Sequence, residues 1–60
     1  MKYYWIKERH NPQLGTYYTP MGEMSVKDAA KHERSLYGFN VMLRYKTKTE
    51  YDARVKELCK

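Results

Sequence analysis

Apolar and polar positions alternate most regularly along residues 37–45, Tyr-Gly-Phe-Asn-Val-Met-Leu-Arg-Tyr. Val41, Leu43 and Tyr45 interleave with Asn40, Met42 and Arg44, and a period of two gives each set its own face of a strand. This densest apolar run is expected to form the central strand, with the other elements packed onto it. Gly38 stands just before it, where a preceding helix would need a left-handed residue to stop.

A strand is also expected over residues 2–8. Tyr3, Trp5 and Lys7 share one of its faces, and Lys2, Tyr4, Ile6 and Glu8 the other. Aromatic and β-branched residues favour this conformation. Residues 9–15 read as a loop, because Pro12 restricts Asn11 and Gly15 can close a turn with positive φ. A short strand over residues 16–19 would pair with the first as a hairpin. Pro20-Met21-Gly22 then reads as a type II turn.

The pattern next changes to helical spacing. Ser25 is an N-cap with Asp28 three residues on, a variant capping box. Val26, Ala29, Ala30, Leu36 and Tyr37 lie near one stripe, so a helix over residues 26–37 is expected. Thr47-Lys48-Thr49-Glu50 forms a full capping box, and Tyr51, Val55 and Leu58 follow along one face. A second helix is expected over residues 48–59. The element order is ββαβα: one α+β domain spanning residues 1–60, a three-stranded sheet with two helices packed on one face. Val41, Leu43, Tyr45, Tyr4 and Ile6 would face the helices, leaving Tyr3, Trp5, Met42 and Arg44 on an open face.

Composition adjusts this picture in two ways. Leu, Ile, Val and Phe are scarce and the net charge is +5, a combination that also occurs in disordered chains. Seven Tyr, one Trp and four Met supply the missing bulk inside patterned segments, which argues for a folded domain. Cys59 is the sole cysteine, so no intrachain disulfide can form. It is expected to be a half-buried apolar residue, in keeping with a reducing compartment. The N-terminus has neither the apolar core of a signal peptide nor a membrane-spanning run. A soluble, cytoplasmic chain with no membrane partner is expected.

Candidate chemistry is sparse. His10 falls in the expected loop as a solvated residue. His32 follows Asp28 by one helical turn, where a side-chain pair can form, but no nucleophile or oxyanion site accompanies either histidine. Gly15, Gly22 and Gly38 are spaced as turn punctuation, not as a phosphate loop. Cys59, His10 and His32 contain no short ligand pair of the kind structural zinc sites show. A non-enzymatic chain without metal or cofactor is therefore expected.

The remaining function classes are binding classes. Tyr, Trp, Met and Arg are enriched in the buried cores of interfaces. An exposed set of Tyr3, Trp5, Lys7, Met42 and Arg44 would serve a protein partner or self-association, with Arg44 over the Trp5 ring. The alternative is nucleic acid, held by the same basic, aromatic face. Gly38-Phe39 before a strand resembles part of the RNA-recognition-motif signature. Tyr37, Asn40 and Arg44 depart from that signature and the fold requires one more strand, so the family is not assigned.

Overall fold

The computed structural model describes residues 1–33 and 38–59. Its elements run β1 (Lys2–Asn11), β2 (Gly15–Ser25), α1 (Val26–Lys31), β3 (Phe39–Tyr45) and α2 (Lys48–Leu58). The ββαβα order and the α+β class are those the pattern predicts. The sheet has the order β2-β1-β3, and β1 pairs antiparallel with both neighbours. The centre is thus β1 and not the strand of residues 39–45, which is an edge. The sequence mark of the central strand is bulk on both faces: adjacent Trp5 and Ile6 are both buried, at 5 % and 0 % exposure.

Both hairpin strands are longer than expected. Asn11 Oδ1 accepts from the backbone N–H of Gln13 at 2.8 Å and of Leu14 at 2.9 Å. This side chain closes the turn in place of a longer loop. Gly15, at φ 88°, re-enters the ladder opposite Asn11, the arrangement that a three-residue hairpin connection demands. Pro20-Met21-Gly22 does not end β2. Trp5 pairs with Gly22 and Ile6 with Pro20, which leaves Met21 as the extra residue of a bulge. An edge strand tolerates the proline, and the bulge turns Met21 onto the Trp5 cluster.

Ser25 caps α1 by accepting from Asp28 N at 3.2 Å, as its motif predicts. The helix is shorter than expected and ends at Lys31. His32 and Glu33 make tighter i→i−3 bonds to Ala29 and Ala30, and Asn40 Nδ2 donates to the His32 carbonyl at 2.6 Å. The rest of the expected helix, with Leu36 and Tyr37, lies outside the described residues. Thr47 caps α2 by accepting from Glu50 N at 3.2 Å.

Cross-strand pairing assigns every strand residue to a face. Tyr3, Trp5, Lys7 and Arg9 share one with Asn40, Met42 and Arg44; Tyr4, Ile6, Glu8 and His10 share the other with Phe39, Val41, Leu43 and Tyr45. This division is the expected one. The two helices, however, lie on opposite faces. Ala29 of α1 packs with Trp5 and Met42, joined by Tyr3, Met21 and Met24. Tyr51 of α2 packs against Tyr4 with ring centroids 5.5 Å apart and ring planes tilted by 32°. The physical reason is that both sheet faces carry large apolar side chains, so one layer of helices could not remove both from water.

Candidate functional site

The face expected to be open is roofed by α1. Trp5 and Met42, at 5 % and 8 % exposure, are core residues. The Trp5 indole also has its polar partner inside the fold, donating from Nε1 to the Met24 carbonyl at 2.8 Å. Tyr3 meets the Trp5 ring edge-on at 6.3 Å. Arg44 is exposed, but its guanidinium lies 4.8 Å above the Tyr3 ring and not over Trp5. Lys7 is half-buried between Thr19 and Met42. The structure brings all five expected residues to one face, as alternation required, yet it closes the centre of that face. The signal available in the sequence was Ala29, whose small side chain lets the helix approach the indole closely.

Besides Met1, Leu14, Tyr17 and Val26, two exposed apolar side chains lie side by side on one strand. Phe39 and Val41 are 57 % and 37 % exposed. Both belong to β3, on the α2 face but beyond the part that α2 covers. The outer edge of β3 pairs with no described residue. A strand edge of this kind presents unpaired N–H and C=O groups along its length. β3 has no proline, glycine or bulge, and its one charged side chain is Arg44. The other edge, β2, is blunted by Pro20, the bulge at Met21 and Gly22 at φ 76°. There the Gly22 N–H is already satisfied by the Tyr51 hydroxyl at 3.1 Å.

At the start of β3 lies a pocket of about 290 Å³, whose lining includes His10, Pro12, Gly38 and Phe39. His10, expected in a loop, instead sits on β1 with its ring stacked on Phe39 at 4.4 Å. Its Nε2 hydrogen-bonds Glu8 Oε1 at 2.5 Å and its Nδ1 meets Thr16 Oγ1 at 3.1 Å. Sequence reasoning missed this array because residues 9–15 read as a loop, which separated His10 from Glu8 on β1, and because Thr16 joins them only across the hairpin. A carboxylate, an imidazole and a hydroxyl in series can orient one another. Here they fix the Phe39 ring as one wall of the pocket.

Electrostatics separate the two faces. Among the strands, the cations Lys7, Arg9 and Arg44 project on the α1 side, while Lys2, Glu8 and Glu23 project on the α2 side. On the α2 side, burial first and then the Glu8 carboxylate push the Tyr18 phenol pKa up. A hydrogen bond to Tyr45 and the nearby Glu57 hold the Arg54 guanidinium charged. Among the described residues no cluster of three His, Cys, Asp or Glu could hold a metal ion, and no helix is long and apolar enough to cross a membrane. No protein-family model, curated protein or solved structure matches this chain.

Proposed function

We propose that this chain is a small non-enzymatic protein-binding module whose contact surface is the outer edge of β3, with Phe39 and Val41 beside it. The observation behind this reading is the contrast between the two sheet edges. β2 carries a proline and a bulge, which keep an edge from pairing, and β3 carries neither. Strand addition to such an edge takes its affinity from main-chain hydrogen bonds and its specificity from flanking side chains. The expected protein partner is kept, but the surface moves from the Tyr3–Trp5 face to the β3 edge. A cytoplasmic setting goes with this reading through the unpaired Cys59.

Nucleic acid is the second reading, and the gathering of Lys7, Arg9 and Arg44 on one face favours it. It is weakened by the burial of Trp5, which removes the best stacking surface from that face.

The test uses immobilised wild-type chain, Val41→Lys, and Val26→Lys as a control on α1. Val41 and Val26 are both exposed, so neither change costs core packing. A protein retained by wild type and control but lost with Val41→Lys is the expected result. Retention that ignores Val41→Lys overturns the proposal. Retention of nucleic acid that falls steeply with salt would establish the second reading in its place.

A further inference from the structure

We infer that the occupant of the β3 edge is an extended acidic segment of another protein, in which apolar and acidic residues alternate. The inference rests on the edge reading above. A strand added to β3 continues the sheet, so its side chains alternate between the same two faces. Those on the α2 side come beside Phe39 and Val41 and must be apolar to keep that surface dry. Those on the α1 side come beside Arg44, on a face where every charged strand residue is a cation. Lys46 and Lys48, both exposed, extend the positive charge past the end of β3. The two rows together specify a period-two partner. The pocket walled by Phe39 and His10 lies at the opposite end of the strand and would accept a terminal apolar side chain.

A second copy of the chain fits less well. β3 itself contains no carboxylate, so an antiparallel pair of β3 strands leaves both Arg44 side chains without a counter-charge. Each copy also brings a net charge of +5.

Synthetic peptides test this directly. One alternates Val with Glu, one alternates Val with Lys at the same length, and a third is the Val/Glu peptide N-methylated at alternate residues. Amide resonances of the isolated full chain are followed during titration. The Val/Glu peptide is expected to shift the Phe39–Tyr45 amides, the Val/Lys peptide to bind at least about tenfold more weakly, and the N-methylated peptide not to bind. Arg44→Glu and Lys46→Glu should each erode the preference for Glu. Equal binding of the two charged peptides overturns the acidic partner and leaves the edge reading standing. Concentration-dependent changes confined to β3 without any peptide overturn it in favour of a second copy. Unresponsive β3 amides overturn it as well. If Val41→Lys then still abolishes protein capture, the edge reading survives; if it does not, both fail.

Discussion

The Trp5 indole donates its Nε1–H to the Met24 carbonyl at 2.8 Å, across the β1–β2 pair and under the roof of α1. One side chain therefore joins the hairpin to the helix, combining a large buried area with a satisfied polar tip. Trp5→Ala is expected to cost about 3–5 kcal/mol. A domain of this size holds only about 3–9 kcal/mol in total, so the variant should lose a third or more of its stability. The wild-type emission should be blue-shifted and resistant to aqueous quenchers; free quenching in the folded state would contradict this.

The three positive-φ glycines differ in what surrounds them. A Cβ at Gly38 would stand 1.9 Å from the His10 carbonyl oxygen, whereas one at Gly22 would meet nothing within 4 Å. Both sites impose the left-handed cost of about 1–2 kcal/mol on alanine. Only Gly38→Ala must also push β3 away from β1. It should lose at least about 2 kcal/mol more than Gly22→Ala, read from urea midpoints at unchanged slope. Equal losses would show that the β1–β3 approach at His10 is looser than described.

Tyr51 has two roles at the bulge. Its ring packs against Tyr4 and its hydroxyl accepts from the Gly22 N–H. Tyr51→Phe keeps the ring and leaves that N–H unpaired, at about 1–3 kcal/mol. Hydrogen exchange at Gly22 should accelerate selectively, and an unchanged rate would place the protection elsewhere.

Thr47 caps the helix that closes the α2 face. Thr47→Ala should cost about 1 kcal/mol. The loss should appear first as faster amide exchange in the opening turn of α2, while the amides of β1 opposite β2 keep their protection. Uniform acceleration would mean that α2 and the hairpin open as one unit.

Tyr18 gives an alkaline signature. Its phenol pKa is raised, by burial and then by Glu8. The folded state holds this proton more tightly than the unfolded state does. Stability from this source is therefore complete below the ordinary tyrosine pKa of about 10 and is lost as pH rises through the folded value. The Tyr18 ring resonances should titrate above that ordinary value, and Glu8→Gln should draw them back toward it. A titration indifferent to Glu8→Gln would remove the carboxylate as a cause.

Local chemistry determined the elements. The Ser25 and Thr47 caps and the alternation in Phe39–Tyr45 are read over a few residues, and each forms where its motif lies. Alternation also fixed which side chains share a face, because the period of two leaves no other choice. What only the tertiary structure decided is what covers each face. Both rows of β1 are bulky, and the chain buries them with one helix on either side, which makes Trp5 and Met42 core instead of surface. The crossover through α1 carries β3 to the far side of β1. That placement makes the most apolar strand an edge, because strand order depends on where a long connection lands and not on the residues of the strand itself.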